Sequence, residues 1–522
     1  MPRLMIALLA ASAVASADGL YVMELGTRDL YAEEWAADFD FYYVSDGWAL
    51  CSGSPSDAAG LRFATLLDPS LRDPGDYALV HTCSPEGAVS AVGIGTPLYR
   101  NGDVSVVELS TSPASLPALP GIRLVQPLRV MELQAPVELY MPSRDGGMDD
   151  FVADIVSIVD EESFQTTIQD MQDYLTRYSS TDSYDTAALY VQDRLEGYGI
   201  PAELQYFDMG SYDCENVIGE IQGIEDSTKI VIICGHLDST SPQSTTNAPG
   251  ADDNASGSAA VVEAARAMSG FYFANTVRFV CFGGEEQGLY GSAYYADQCA
   301  GAGEDIIAVL NFDMILYGPS GDASMWVPYN TSSNGLALAF DAICDTYVPA
   351  LDVITEYSPG TTYSDHSSFW NQGYPAILGI ENAFDANPYY HQTSDILANY
   401  MTYFPFGTDC ARGAIAAAAY FAEPLGGYGI EDDGSGVAPG SFVITGVGPN
   451  PSTGIITFGV SGSLSSPGFT VYDLSGRVAL RGSIAGDGNS FSLDVSSLPT
   501  GVFVLEASSG GSSDTALFTV LR

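Results

Sequence analysis

The chain has 522 residues, of which 46% are hydrophobic, and this length favours two or three domains. Its 66 acidic residues against 17 Lys and Arg residues give a formal net charge of −49. A chain this acidic repels nucleic-acid phosphates and anionic membrane surfaces, so nucleic acid is excluded as a partner. Most of the acidic residues are expected to form a solvated surface.

The first seventeen residues have the pattern of a secretory signal peptide. Arg3 precedes the apolar run MIALLAASAV, and residues 15–17 (Ala-Ser-Ala) match an A-x-A cleavage site. This run is too short to span a bilayer, and no other stretch is long and apolar enough to do so. We therefore expect residues 1–17 to be removed and the mature chain to be secreted, with no transmembrane segment.

Residues 18–147 contain strand-like runs, such as FDFYYVS and DVSVVEL, separated by Gly, Pro and Asp residues. They hold no cluster with metal-ligand spacing, and we interpret this region as an accessory domain or a propeptide. Because export permits disulfides, Cys51 and Cys83 are the simplest pair among the eight cysteines. No C-x-x-C pair exists, which argues against a thiolate zinc site.

Residues 148–423 alternate between helical and strand-like patterns. Two stretches with helical spacing come first, at 148–178 and 183–199. Strand and helix patterns then alternate, and TKIVIICG is a near-continuous apolar run typical of a strand covered on both faces. The alternation predicts a three-layer α/β/α fold with a mostly parallel central sheet and an active site beyond the carboxyl ends of its strands.

A different texture follows this domain. Residues 424–440 are rich in Gly, Pro and Asp, which predicts a linker. Residues 441–522 show short strands and turns, which predict a β-sandwich. This last region contains no His and no Cys, so no chemistry is assigned to it.

Candidate metal ligands stand at the ends of three apolar runs between residues 230 and 316. His236 ends the first run, Glu285 and Glu286 follow the second, and Asp313 ends the third. Zinc takes imidazole and carboxylate ligands, and catalytic zinc sites leave one position open for water. Neighbouring side chains at a strand end point in different directions, so one glutamate can bind metal while the other acts as general base. A solvated acidic turn is the alternative for this pair.

Two more histidines and a pair of aspartates have similar surroundings. His366 and His391 each lie beside carboxylates; either alone suits a structural role, but their occurrence together with His236 favours a site. In GADDNASG only one of Asp252 and Asp253 need bind metal, and helix capping is the alternative role. A carboxylate that bridges two metals holds them at a separation suited to hydrolysis.

Local contacts can divide these roles further. Asn254 or Ser256 can cap the helix that begins near Ala255, which leaves Asp253 available for metal. Asp238, two residues after His236, can orient the imidazole ring of that histidine. The pattern as a whole predicts a metal-assisted hydrolase.

Six motifs occur in the order seen in one enzyme family: GHLDS, GADDNASGSAA, GEEQGLYGS, NFDM, SDHSSF and YYHQTSD. Residues 150–422 thereby resemble the zinc aminopeptidases of the bacterial leucyl aminopeptidase and aminopeptidase Y type. The resemblance implies two zinc ions per chain. His236 and Asp313 would bind one ion, Glu286 and His391 would bind the other, and Asp253 would bridge both.

The same resemblance implies the remaining catalytic roles. Glu285 would be the general base, and Asp238 matches the aspartate that orients the zinc-binding histidine. Asp253 is favoured over Asp252 because the bridging residue of the family directly precedes the Asn or Asp of that motif. The peptide bond between Asp253 and Asn254 is often cis in these enzymes.

One stretch departs from the family pattern. Leucyl-type relatives have a disulfide loop with a tyrosine before their SDH motif, whereas this chain has SPGTTYSDH and no cysteine nearby. Tyr363 is the candidate to replace that tyrosine. Asp365 and His366 match the SDH motif and are expected either to line the substrate pocket or to belong to a structural network.

The C-terminal region resembles the Ig-like sorting domains of secreted and surface-attached bacterial enzymes, through PNPSTG, VYDLSGRV and LPTGVFVLEA. The resemblance implies export and attachment to the cell surface. A plain accessory β-sandwich is the alternative, since the chain ends in VLR where lysine-rich ends are commoner.

The function expected is therefore that of a secreted di-zinc aminopeptidase acting on peptides or proteins. A carboxypeptidase or a glutaminyl cyclase of the same fold is the nearest alternative. A non-catalytic surface adhesin that has kept the scaffold is the alternative from another class, and loss of the base or of a ligand would mark it.

Overall fold

The computed structural model describes residues 148–427 continuously, together with most of 18–133 and 442–520. Within the latter two ranges it leaves out 27–29, 31–32, 46, 72, 83–92, 117–118, 120, 449–453, 463–467, 474–476, 484–489 and 510–511. The predicted signal peptide and Cys83 lie outside the described residues, while Cys51 is a buried free thiol. None of the described helices is long and apolar enough to cross a membrane.

The N-terminal domain, residues 18–133, contains two four-stranded antiparallel sheets. Its elements are β1 (Gly19–Glu24), β2 (Asp40–Val44), β3 (Trp48–Gly53), α1 (Pro55–Ala58), β4 (Ala64–Asp68), β5 (Tyr77–Thr82), β6 (Gly95–Asn101), β7 (Val104–Leu109) and β8 (Ile122–Pro127). The strand orders are β2-β3-β1-β4 and β6-β7-β5-β8. Leu20, Val22 and Leu79 belong to an apolar cluster that includes residues of both sheets, so this region has a core of its own.

The central domain alternates strands and helices as predicted. Its elements are α2 (Met148–Ile158), α3 (Glu161–Gln172), α4 (Asp182–Gly197), β9 (Ala202–Asp208), β10 (Asp213–Ile221), β11 (Asp226–His236), α5 (Ala255–Met268), β12 (Phe271–Phe273), β13 (Asn275–Phe282), α6 (Tyr290–Ala302), β14 (Asp305–Phe312), β15 (Ser324–Tyr329), α7 (Asn334–Tyr347), β16 (Asp352–Tyr357), α8 (His366–Asn371), β17 (Ala376–Glu381) and α9 (Phe404–Ala422).

Eight strands form one mixed sheet in the order β16-β15-β17-β14-β11-β13-β10-β9. Its centre is parallel, because β11 pairs in parallel with both β13 and β14, and β14 pairs in parallel with β17. Both flanks contain antiparallel pairs, β13 with β10, β10 with β9, and β15 with β17. The α/β prediction is confirmed, but the sheet is more mixed than the sequence indicated.

The two faces of the sheet are covered by different helices, which gives three layers. Val231 and Ile233 of β11 face a large core that also contains residues of α5 and α9. The intervening Ile232 and Cys234 face a second core shared with α6 and α8. Alternate residues of a strand point to opposite faces, so an apolar run without polar interruptions is what a doubly covered strand requires.

The C-terminal region has two sheets, as expected of a sandwich. The strands are β19 (Phe442–Gly448), β20 (Ile455–Gly462), β21 (Gly468–Asp473), β22 (Val478–Ser483), β23 (Ser490–Asp494), β24 (Gly501–Ser509) and β25 (Ser512–Val520), in the orders β19-β20-β23 and β22-β21-β24-β25. Phe458 and Phe491 of one sheet share a core with Phe503 and Phe518 of the other.

Two boundaries differ from the predictions. The predicted linker begins at 424, but β18 (Pro424–Gly427) pairs with β12, since the chain returns to the central domain before leaving it; the stretch 428–441 lies outside the described residues. The single helical pattern at 148–178 is two helices, because the Asp160 side chain accepts a hydrogen bond from the backbone N–H of Glu162 and caps α3.

Candidate metal centre

Parallel pairing brings the three apolar runs to one edge of the sheet. His236 is the last residue of β11 and is paired with Phe282, the last residue of β13. Asp313 directly follows β14 on the other side of β11. His236 Nε2 lies 3.3 Å from Asp313 Oδ1 and 3.3 Å from Asp253 Oδ1. The strand ends thus converge on one buried imidazole.

Asp253 lies between two histidines, one for each of its oxygens. Its Oδ1 faces His236, and its Oδ2 lies 3.2 Å from His391 Nε2. His391 Nε2 is also 3.0 Å from Glu286 Oε2. All five predicted ligands, His236, Asp253, Glu286, Asp313 and His391, therefore come together, and one carboxylate occupies the middle position.

Glu285, the expected general base, lies beside this group. Its Oε2 is 4.0 Å from His236 Nε2, and His236, Glu285 and Asp313 form a set whose ligand atoms lie within 4.8 Å of one another. Gly284 has φ 69°, a left-handed backbone conformation that permits the turn after β13. That turn sends the two consecutive glutamates in different directions.

Asp238 acts mainly on the glutamate turn. The backbone carbonyl of Asp238, 3.1 Å from His236 Nδ1, is the acceptor that fixes this ring, while the nearest carboxylate oxygen is 3.6 Å away. A carbonyl only accepts, so Nδ1 carries the proton and Nε2 is left for a metal. The Asp238 carboxylate instead accepts the backbone N–H groups of Glu285 and Glu286, each at 3.1 Å.

The loop that carries Asp253 is held by partners that the sequence analysis did not identify. Asp395 accepts the backbone N–H groups of Asp252 and Asp253 through its two oxygens, each at 3.0 Å. Asp252 is fully buried and accepts from the backbone N–H of Leu316 at 2.9 Å. Asp252 is therefore a buried structural neighbour of the site.

Asn254 caps the helix after this loop. Its Oδ1 accepts from the backbone N–H of Gly257 at 2.8 Å, and its side-chain amide donates to the carbonyl of Phe312 at 2.9 Å. The capping role thus falls to Asn254 rather than to Asp253, as expected. The peptide bond between Asp253 and Asn254 is cis, as the resemblance implied.

Arg177 is a second supporting residue that the sequence analysis did not identify. Its guanidinium is fully buried and donates to the backbone carbonyls of Leu237, Met171, Pro249 and Gly250 at 2.7–3.1 Å. Burial lowers the pKa of Arg177 to about 10, which leaves it cationic at neutral pH. Although it lies far from both in sequence, Arg177 ties the end of β11 to the loop of Asp253.

The three predicted pocket residues occupy different environments. Tyr363 lines the cavity that contains the ligands, but Asp365 and His366 do not. His366 is fully buried, its Nε2 donates to the carbonyl of Thr361 at 2.8 Å, and its ring packs against Trp370. Burial lowers its pKa to about 3, so it is a neutral structural residue. Asp365 is 1% exposed, and burial raises its pKa to about 7.

The electrostatics of the group call for added positive charge. Burial raises the pKa of Glu285 well above its usual range and that of Glu286 to about 7. Burial opposes protonation of His391, but Glu286 and Asp253 raise the pKa of that histidine to about 10. Burial therefore disfavours the charged forms of Glu285 and Glu286 unless cations lie beside them.

The donor set fits zinc. Two imidazole nitrogens and several carboxylate oxygens are ligands that zinc accepts. Glu286 Oε1 is buried and has no hydrogen-bond donor within the described part of the chain. Buried polar atoms are normally satisfied, so this oxygen is suited to a cation.

Two family profiles match the chain. Peptidase family M28 matches residues 216–403, which include all the ligands above. The secretion system C-terminal sorting domain matches residues 447–520. The second match confirms the expectation of a secreted protein and favours the sorting-domain interpretation of the sandwich over a plain accessory module.

Individual proteins give the same result. A probable leucine aminopeptidase of Arthroderma otae is 29% identical over 273 residues, covering 47% of this chain and 70% of its own length. One of Trichophyton verrucosum is 30% identical over 258 residues, covering 47% and 69%. The LapA aminopeptidase of Legionella pneumophila has a similar fold, with TM-score 0.50, 19% identity, and coverage of 79% of this chain and 100% of that one. The chain belongs to peptidase family M28 and is a peptide hydrolase.

Proposed function

We propose that the chain is a secreted di-zinc aminopeptidase that removes N-terminal residues from peptides. One observation supports this most strongly: Asp253 presents one oxygen to His236 at 3.3 Å and the other to His391 at 3.2 Å. A carboxylate placed in this way can bridge two metal ions. The similarity to enzymes named as leucine aminopeptidases supports the choice of peptidase.

The ligands would divide into two sets that share Asp253. His236 and Asp313 would hold one zinc ion, and Glu286 and His391 would hold the other. When bound, zinc polarises the scissile carbonyl and lowers the pKa of water. His236 is prepared for this role, because its Nδ1 proton is already engaged by the carbonyl of Asp238.

Glu285 would move the proton. It is 5% exposed, and its Oε2 lies 4.0 Å from His236 Nε2, beside the candidate ligands, so it could accept a proton from the attacking water and release it to the leaving amine. Its backbone is fixed by Asp238, which holds the turn in place. A general base needs such positioning, since proton transfer depends first on geometry.

Aminopeptidase activity is favoured over carboxypeptidase activity by the similarity to proteins named as leucine aminopeptidases. Arg123 also lines the cavity and would suit a C-terminal carboxylate, but its guanidinium is engaged by Asp385. An N-terminal specificity is therefore the better fit.

Zinc analysis combined with a peptide assay tests the proposal. The purified full chain should bind two zinc ions and should release the N-terminal residue from free peptides and aminoacyl anilides. N-acetylated peptides should not be cleaved. Cleavage of acetylated peptides from the C-terminus would favour a carboxypeptidase. Cyclisation of N-terminal glutamine would favour a glutaminyl cyclase. If the zinc-loaded chain turned over none of these substrates, a non-catalytic adhesin would be favoured.

The C-terminal sorting domain suggests where the enzyme works. We propose that it attaches the exported enzyme to the cell surface, which would place hydrolysis outside the cell. Fractionation of the producing cells, with antibodies against the central domain, would find the enzyme on the surface. Recovery from the medium alone would contradict attachment.

A further inference from the structure

The cavity at the metal centre is almost filled by protein. Its volume is about 10 Å³, which is room for about one water molecule. Its lining includes the candidate ligands, and also Tyr363 and Phe384 of the central domain and Arg123 of the N-terminal domain. A substrate side chain therefore cannot enter unless one of these residues moves.

Arg123 is the member of this lining that comes from outside the central domain. It lies on β8, and its guanidinium stands 4.5 Å from the ring centre of Tyr363 and 4.6 Å from that of Phe384. It also forms an ion pair with Asp385. The Arg123 side chain is 7% exposed, against 60% for that of Asp385, so the arginine is inserted between the two domains.

A second, larger cavity begins on the other side of these residues. It has a volume of about 640 Å³ and is lined by both domains, including Trp48 and Trp326. Arg123, Tyr363 and Phe384 line both this outer cavity and the metal cavity. They form the partition between them, and Arg123 is its only member from the N-terminal domain.

We propose that Arg123 is a specificity-determining gate that occupies the space where the N-terminal side chain of the substrate would lie. The inference rests on the proposed aminopeptidase function. Shortening the arginine would join the outer cavity to the metal cavity and expose apolar surface on Tyr363 and Phe384. Large apolar side chains would gain most, because binding energy in such a pocket grows with the apolar area buried.

The test compares full-length, zinc-loaded variants on the anilides of alanine, leucine and phenylalanine. Arg123→Ala should raise kcat/KM by about tenfold or more for leucine and phenylalanine, and by less for alanine. Asp385→Asn removes the ion-pair partner of the arginine. It should also raise the ratio of kcat/KM for leucine to kcat/KM for alanine, but by less than Arg123→Ala does. Arg100→Ala, an exposed change in the same domain, serves as the matched control.

A second control separates the gate from the docking of the two domains. Arg129 donates to the carbonyl of Gly288 at 3.0 Å and does not line the metal cavity. Arg129→Ala should therefore leave the ratio of leucine to alanine turnover unchanged. An equal rise of this ratio in Arg123→Ala and Arg129→Ala would overturn the proposal, because the effect would then come from loosened docking of the two domains.

Access to the metals gives a readout that does not depend on turnover. Stripping of zinc by 1,10-phenanthroline should be faster in Arg123→Ala than in the wild type and unchanged in Arg100→Ala. An unchanged stripping rate with unchanged or lower kcat/KM would overturn the gate. If neither wild type nor Arg123→Ala cleaves any anilide although zinc is bound, the proposed function fails and the gate fails with it as a determinant of specificity; the stripping rates then show only whether Arg123 limits access to the metals.

Discussion

The two halves of the proposed di-zinc centre are built differently. His236 and Asp313 stand at the ends of neighbouring parallel strands, and their side chains are 1% and 9% exposed. Glu286 and His391 stand on loops, His391 has φ 55°, and its side chain is 14% exposed. We call these the strand half and the loop half. Only the strand half is positioned directly by the central sheet.

The hydrogen bonds that hold the candidate ligands also differ between the two halves. In the strand half, Ser364 donates to Asp313 Oδ2 at 2.7 Å, while the carbonyl of Asp238 accepts from His236. In the loop half, the backbone of Glu286 is fixed by the Asp238 carboxylate. Preorganised ligands bind metal more tightly because less ordering accompanies binding. We therefore expect the strand half to bind zinc first and to release it last.

The largest expected effect is a loss of catalytic activity without a loss of zinc from either half. Glu285→Gln should retain two zinc ions but lose about 10²–10⁴-fold in kcat, since the amide cannot accept a proton. Zinc content and steady-state kinetics on a leucine anilide measure this. Glu225→Gln, at an exposed glutamate, is the control. Undiminished turnover by Glu285→Gln would remove this residue from the reaction.

Removal of a histidine from each half tests the difference between them directly. His391→Ala should leave about one zinc ion per chain, held by the strand half, because Asp253 and His236 stay in place. His236→Ala should remove the more tightly held ion of the strand half and leave only the weaker ion of the loop half, so that less zinc is retained than in His391→Ala. Metal content after dialysis at fixed free zinc measures the two variants. Equal loss in both would show that the halves do not differ.

The local sequence pattern predicted the candidate ligands His236, Glu286 and Asp313 because they stand at or shortly after the end of an apolar strand. A strand that is apolar on both faces and ends in His or Asp is readable from the local pattern, and so is a pair of glutamates after a strand. The positions of β15 and β16 were missed, since these strands lie at the flank of the sheet and carry polar residues such as Thr355 and Glu356. The antiparallel β15–β17 pair was missed with them.

The supporting residues could not be predicted from the sequence. Arg177 binds carbonyls some sixty to seventy residues away, and Arg123 meets Asp385 across two domains. No spacing rule links such partners, so only the folded chain shows them. Asp395 is the exception that had a signal: it lies four residues after His391 in the same motif, yet its contact is with the Asp253 loop.

Asp238 links the two halves, and its carboxylate provides a graded test. Asp238→Asn keeps the backbone carbonyl that accepts from His236, but it weakens the acceptor of the Glu285 and Glu286 N–H groups. Zinc affinity or activity should fall about 10–100-fold. The loss of zinc should be greater in the loop half, which contains Glu286. A greater loss from the strand half would indicate that the carboxylate acts mainly through His236.

The smallest effect belongs to the strand half alone. Ser364→Ala removes the hydrogen bond to Asp313 Oδ2 and, on its other side, the acceptor for the Asn311 side-chain amide. One such hydrogen bond to a charged group contributes about 1.5–3 kcal/mol at most, and a bound cation on the same carboxylate offsets part of the loss. Zinc affinity of the strand half should therefore fall about fivefold to thirtyfold, with the loop half unchanged.

Competitive zinc titration against a chromophoric chelator resolves the two steps, and Ser157→Ala, at a site remote from the sheet, provides the baseline. If only the weaker of the two zinc-binding steps lost affinity, the loop half would be the half that binds zinc first, because the candidate ligand that Ser364 contacts is Asp313 of the strand half.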